Sequence, residues 1–446
     1  MSAFHTAPHR TALRGPRRRG LRPRRAAIVV LLALTTALWA QESPESPARS
    51  SEPPAGPVVP PEGEPDHFGG YEVDPAADPG DDLDSDGGVE IVKAQLVGDL
   101  GHRWVRSIRK VTDGAGRAAF SRQGEHIAYD RPSDLGPRSV WTARLDDGLE
   151  NERCLTCEFW DLRKHNVVSP DWHPSGDLLV AVAQNAPASR MRQESLDLAR
   201  PDRGYHGDLW VFSRDGRDSW QMSQVAEQGG AVLDPRYSFE GTRIAWSERV
   251  QSRTRRWGSW VVRVAEFEVR RGVPRLGKVK TFEPPWPALV TVAGWSEDEK
   301  SLWTSIEPDP VSRREGLVPA RLDLETGRFE PLRVEGTWNE RMTQVPDGER
   351  RVWASDRGLV APRGAELDRR HDLWFMSPSG RRQERLTYFN DPASKHALGE
   401  AWIVSTSWSP RGDRLLVQVL TPGGSAAAGR LTESLYLVEL DSELRR

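Results

Sequence analysis

The chain holds two cysteines, Cys154 and Cys157, in a C-x-x-C spacing. Thiols so placed can close a small disulfide, supply half of a metal site or exchange electrons. Glu158 stands where a haem-attachment motif carries histidine, and no βαβ pattern surrounds the pair as it does in thioredoxins. A local disulfide is therefore expected if the chain is exported to an oxidising compartment. A two-cysteine, two-histidine metal site with His165 and His173 and a redox pair are the alternatives. Six other residues could bind a ligand or move a proton: Asp171, Asp234, Glu340, Asp391, His396 and Glu400. All fall in stretches expected to be loops at one channel mouth. A hydrolase needs two such groups at one bond, which spacing along a chain does not establish. Turn formation and strand capping are the ordinary duties of Asp in such places. No G-x-S-x-G nucleophile elbow and no glycine-rich loop opening a helix is present, so neither serine-hydrolase nor phosphate-binding chemistry is indicated. Asp82, Asp84, Asp86 and Gly87 have the alternating carboxylates of a calcium loop. Lys93 stands where an EF-hand carries its bidentate Glu, so a solvated acidic linker is expected there, with weak calcium binding as the alternative.

Positioning such groups falls to a cassette that recurs six times: an aromatic residue, a short polar turn usually ending in glycine, then an apolar strand. The copies read FSRQG (120–124), WHPSG (172–176), YSFEG (237–241), WSEDE (295–299), QVPDG (344–348) and WSPRG (408–412). Their separation suits one four-stranded sheet plus loops per repeat. Apolar residues alternate after each turn, as in Ile127 and Tyr129 or Ile244 and Trp246, which marks a strand packed on one face. A further strand follows each loop, as in Asp208-Leu209-Trp210 and Asp372-Leu373-Trp374. The reading is all-β: a six-bladed β-propeller of four-stranded antiparallel blades. The 18 tryptophans fit as wedge fillers between radiating sheets. A propeller must also close its ring. The last repeat ends after three strands near Leu440, and the segment from Trp104 to Thr112 is expected to supply the fourth.

Charge divides the chain into zones. Residues 1–40 carry eight arginines and no acid, followed by an apolar run from Ala26 to about Ala40, which reads as a signal peptide. Residues 41–88, rich in Pro, Asp, Glu, Ser and Gly, bury too little to fold and are expected to be a disordered linker. The body, 89–446, is nearly neutral, so neither nucleic acid nor stable membrane insertion is expected, and a monomer is. Two long insertions, 185–205 and the arginine-rich loop with Arg249, Arg253, Arg255 and Arg256, would decorate one face.

The cassettes resemble the repeats of TolB-type, WD-repeat-like six-bladed propellers, whose motif is approximately W-S-P-D-G, I-A-F, D-I-Y-V and R-L-T. WSPRG with Leu415-Leu416-Val417, and Asp372-Leu373-Trp374 with Arg385-Leu386-Thr387, carry the likeness. The chain is similar in particular to exported TolB-like propellers sharing RCLTC, WHPSG, IAWSER and RLTYFN. The resemblance implies a periplasmic or secreted protein that binds a protein, peptide or cell-envelope component. The alternative is a secreted hydrolase with carboxylate or metal chemistry at the channel mouth. A folded domain ahead of the propeller, as in TolB, is not expected in the polar linker. Where members of that group often carry histidine before the aromatic residue, this chain reads Asp234-Pro235-Arg236 and Glu340-Arg341-Met342, which weakens any metal site built on such histidines.

Overall fold

The computed structural model describes residues 101–185, 206–251, 258–312, 316–346, 348–359, 370–423 and 431–441. All of these belong to the second of two units, Val89–Arg446. The expected signal peptide and linker, Asp82, Asp84 and Asp86, most of the 185–205 insertion, and Arg253, Arg255 and Arg256 lie outside the described residues.

Among the described residues, twenty-four strands form six four-stranded antiparallel sheets. Blade one is β2 (Ala118–Phe120), β3 (His126–Pro132), β4 (Arg138–Arg144) and β5 (Arg153–Cys154). Blade two is β6 (Val167–Trp172), β7 (Leu178–Gln184), β8 (Gly207–Ser213) and β9 (Ser219–Gln221). Blade three is β10 (Ala231–Tyr237), β11 (Arg243–Gln251), β12 (Ser259–Arg270) and β13 (Val273–Phe282). Blade four is β14 (Val290–Trp295), β15 (Ser301–Ile306), β16 (Val318–Asp323) and β17 (Phe329–Pro331). Blade five is β18 (Asn339–Gln344), β19 (Arg351–Ser355), β20 (Asp372–Met376) and β21 (Gln383–Arg385). Blade six is β22 (Trp402–Trp408), β23 (Arg414–Pro422), β24 (Leu431–Leu440) and, from the other end of the chain, β1 (Val105–Asp113). The first strand of each blade touches that of the next, and β22 touches β2, so the sheets stand in a closed ring around a central channel. Among the described residues no helix is long and apolar enough to cross a membrane.

The ring closes as the sequence requires. β1 pairs antiparallel with β24 from Val105 opposite Leu440 to Asp113 opposite Ser434. Trp104 packs edge-on against Phe375 of blade five, with ring centroids 4.5 Å apart, and His102 bonds Glu384 at 2.9 Å. The closing segment thus ties blade five to blade six. Apolar residues from facing sheets fill the gaps between blades, for example Val168, Val180, Leu209, Tyr237, Ile244 and Trp246 between blades two and three. Trp172, Trp246, Trp260, Trp295, Trp303 and Trp353 are all buried, as wedge-filling demands.

Each cassette is the turn joining the first and second strands. In all six, the N–H of its last residue donates to the carbonyl of its second, from Gly124 to Ser121 at 2.8 Å through Gly412 to Ser409 at 2.9 Å. In blades one, two, three and six that last residue is a glycine with a left-handed backbone, φ 76° at Gly124 and 78° at Gly176, which glycine adopts without Cβ strain. Glu299 takes the position at φ 53° in blade four. Its carboxylate offsets the cost by accepting from the Glu240 N–H at 2.8 Å and pairing with Arg243 at 2.7 Å, both in blade three. The recurring D-L-W and R-L-T motifs meet in the same way. Asp372 accepts from the Phe389 N–H and the Thr387 hydroxyl and pairs with Arg385 at 2.6 Å, binding the outer strand to the sheet.

Candidate binding site at the cassette mouth of the channel

Counting from the first residue of each cassette, equivalent positions in the six blades form tiers along the channel. Three residues before it stand Arg117, Ser169, Asp234, Val292, Arg341 and Ser405. The first strands of blades two to six are bulged near this tier, shown by register shifts such as Leu233/Arg236 and Glu340/Thr343. Ser169, Asp234 and Arg341 are held at φ 57°, 49° and 60°, strained for residues with a side chain.

Arg117, Asp234 and Arg341, from alternate blades one, three and five, meet on the axis and are buried. Arg341 Nη1 donates to Asp234 Oδ2 at 2.7 Å, and Arg117 Nε lies 3.3 Å from Asp234 Oδ1. Burial alone would raise the Asp234 pKa; Arg341, Arg117 and Arg236 overcome it and hold the carboxyl below its ordinary range. Arg117 is shifted the other way, its pKa lowered by burial. Towards the face opposite the cassettes, Arg341 also lies 3.8 Å from Glu340, whose Oε1 approaches His371 at 3.6 Å and Trp402 Nε1 at 3.4 Å. The channel is therefore blocked by a chain of buried ions.

On the cassette side of this plug a cavity of about 290 Å³ opens to solvent. Its walls are the first cassette residues, Phe120, Trp172, Tyr237, Trp295, Gln344 and Trp408. Its rim is the third cassette position of every blade: Arg122, Pro174, Phe239, Glu297, Pro346 and Pro410. The residues just before the aromatics line it more deeply as Asp171, Arg236, Gly294, Thr343 and Ser407, of which only the neighbours Asp171 and Arg236 are charged. Asp171 Oδ2 accepts from the Tyr237 N–H at 2.8 Å, as Ser407 accepts from the Phe120 N–H at 3.1 Å, so this tier also staples blade two to blade three and blade six to blade one. Asp171 Oδ1 stays 3.7 Å from Arg236 Nη1, too far for a hydrogen bond. Burial is the largest influence on Asp171 and outweighs Arg236 and the backbone donors, so its pKa is raised to about 6.

The six residues singled out from sequence do not gather at one mouth. Asp171, Asp234 and Glu340 lie on strands β6, β10 and β18 rather than on loops, and they occupy successive depths of the channel. Only Asp171 lines the cavity. Asp391, His396 and Glu400 lie in the β21–β22 connection on the opposite face. Asp391 is 3.8 Å from Arg385, Glu400 pairs with Arg370, and the His396 N–H donates to Ser394 Oγ at 3.1 Å. Strand bulges turn the first three inward and place them by depth, which sequence spacing does not encode. Arg117, Arg236 and Arg341 were not among the six. The signal for them is charge recurring at fixed offsets from the aromatic residue.

Cys154 and Cys157 form a disulfide, with Cα atoms 5.7 Å apart, at the end of β5. His165 Nδ1 meets the Gln184 carbonyl at 2.6 Å, and His173 Nε2 the Gly241 carbonyl at 3.2 Å, so neither joins the sulfurs. Among the described residues no group of three or more His, Cys, Asp or Glu is placed to hold a metal ion.

No family model and no curated protein matches the chain. Solved structures do resemble it. TolB from Acinetobacter baumannii is 18% identical, with 61% of this chain and 54% of that one covered and a TM-score of 0.41. The chain thus spans about half the length of that TolB. A putative TolB from Agrobacterium tumefaciens is 12% identical over 74% of this chain and 93% of that one, with a TM-score of 0.44. An oligogalacturonate lyase from Vibrio parahaemolyticus is 11% identical over 76% and 94%, with a TM-score of 0.43. Each likeness is one of fold. On its own blade count and strand order, the architecture is that of a six-bladed β-propeller.

Proposed function

We propose that the chain is an exported, non-enzymatic binding module that takes a protein, peptide or cell-envelope component at the cassette mouth. The observation that carries this is the plug formed by Arg117, Asp234 and Arg341, which turns the channel into a blind, aromatic-walled funnel. Concave, largely apolar pockets with a few convergent polar groups are the usual form of a ligand site. The arginine-rich head and apolar run of residues 1–40 support export, and the acidic segment that follows supports a tether.

The test places a photo-crosslinking residue at Phe239 on the rim or, in a second protein, at Val279 on the exposed outer strand of blade three. Each protein is irradiated in the native envelope. A discrete adduct from position 239 and none from 279 is expected; the same adducts from both would sink the reading. The hydrolase alternative has one observation in its favour: Asp171 titrates near 6, within reach of a general acid. Its only companion carboxylate in the cavity lining is Glu297 on the rim, which Gln344 approaches at 3.5 Å. Turnover of an oligosaccharide or lactone that disappears in Asp171→Asn with the fold intact would establish it.

A further inference from the structure

Of the two charged residues deep in the funnel wall, Asp171 and Arg236, Arg236 is the one whose side chain makes no hydrogen bond among the described residues, and the buried Trp172 Nε1, Tyr237 hydroxyl and Thr406 hydroxyl beside it are likewise without partners. The Arg236 side chain is only 11% exposed, yet its nearest charged partner is Asp171 at 3.7 Å, beyond hydrogen-bond distance. A guanidinium presents five donors in a fixed planar fork, and a buried one without acceptors is costly. Arg117 and Arg341 in the plug have Asp234 between them, and Arg138 in blade one has Asp130 at 2.6 Å and Glu433 at 2.9 Å. Arg236 has no acceptor so close, and it lines the cavity.

We propose that the funnel binds a ligand end-on by a free carboxylate, with Arg236 as the anchor and the ligand's apolar body between the aromatic walls. This rests on the cassette mouth being the binding site. A carboxylate matches the guanidinium fork in a bidentate pair, the strongest neutralisation available to a partly buried arginine. The plug behind Arg236 bars a threaded chain, so the acid must sit at the ligand's end. That end is the C-terminus of an extended peptide or the acid group of a small aryl or alkyl carboxylate.

Asp171 tunes the anchor. It faces Arg236 and Tyr237 from β10 and follows its own strand to Trp172, with Asp234 and Arg117 deeper and Arg122 and Glu297 on the rim. Above pH 6 its charge opposes an incoming carboxylate, and below pH 6 it is protonated and the opposition ends. Binding therefore tightens as pH falls from 7.5 to 5.

The experiment titrates the whole protein calorimetrically with a pool of acetyl-Ala-Ala-X tripeptides, X being each amino acid in turn, as free acids and as amides. Phenylacetate forms a third arm. Free acids are expected to bind at least tenfold tighter than amides. Arg236→Gln should erase the preference, Arg236→Lys should restore part of it, and Asp171→Asn should tighten binding several-fold at pH 7.5 and flatten the pH dependence. Binding of phenylacetate as tight as that of the acids assigns the small-molecule source and supports the same anchor. Equal binding of acids and amides overturns the proposal, and if Phe239→Ala weakens both, the mouth survives as a binding site without the anchor. Absence of binding in all three arms overturns it too; a Phe239 crosslink would then leave the broader reading standing.

Discussion

Two aspartates two positions apart in the cassette register show how position decides chemistry. Asp234, with arginines on two sides, is held ionised, whereas Asp171, with one loose arginine and two backbone donors, is pushed up to about 6. Because the folded protein binds the Asp171 proton more tightly than the unfolded chain does, stability from this group is full below about pH 4 and is lost as pH rises towards 6. Asp171→Asn should therefore stabilise the protein by about 1–2 kcal/mol at pH 8. The gain should vanish near pH 4, as urea unfolding at the two pH values will show. Asp234→Asn works in the opposite sense, since it leaves Arg117 and Arg341 without their shared counter-charge. A loss of about 3–5 kcal/mol is expected by the same measurement. The aspartates were visible in the sequence as candidates, but their partners were not. An arginine pointing into a channel and one pointing to solvent look alike until the cassette columns are aligned.

At the level of strands and turns, most of the architecture could be read in advance because turn, strand and motif repeat with the same offsets. The six turns share one hydrogen bond, and period-two apolar residues set which face of each second strand is buried. The bulges in the first strands were not legible, since they depend on the crowding of six strands around an axis and not on any local residue type. The substitution of Glu299 for the cassette glycine was legible as an exception, and its compensation was not. Glu299→Ala keeps the strained backbone and removes the bonds to Glu240 and Arg243, so it should cost about 1–2 kcal/mol. Glu299→Gly should cost less, because the left-handed turn is then relaxed. Chemical denaturation of the two variants decides the order. Removal of residues 103–112 deletes most of β1 and exposes the edge of β24; the melting midpoint should fall by about 10 °C or more. An unchanged midpoint would contradict the closing strand.

For the molecule as a whole, the export proposed above fits the Cys154–Cys157 disulfide, since thiols oxidise and stay oxidised outside the cytoplasm. Thiol labelling of the exported protein should find neither Cys154 nor Cys157 reactive until a reductant is added. Quantitative labelling without reductant would remove the bridge. The pairing of β1 with β24 also constrains the order of events, for the two strands of one sheet are separated by more than 300 residues of chain. A ribosome or a secretion pore delivers the polypeptide from one end, so the earliest strand must wait, with its partner edge missing, until the final one arrives. Blades one to five can assemble as they emerge, while the last joint cannot be made before β24 has been delivered. A chain cut short before β24 would therefore be an open arc with adhesive ends, and a quality-control protease would meet a very different object from the finished ring.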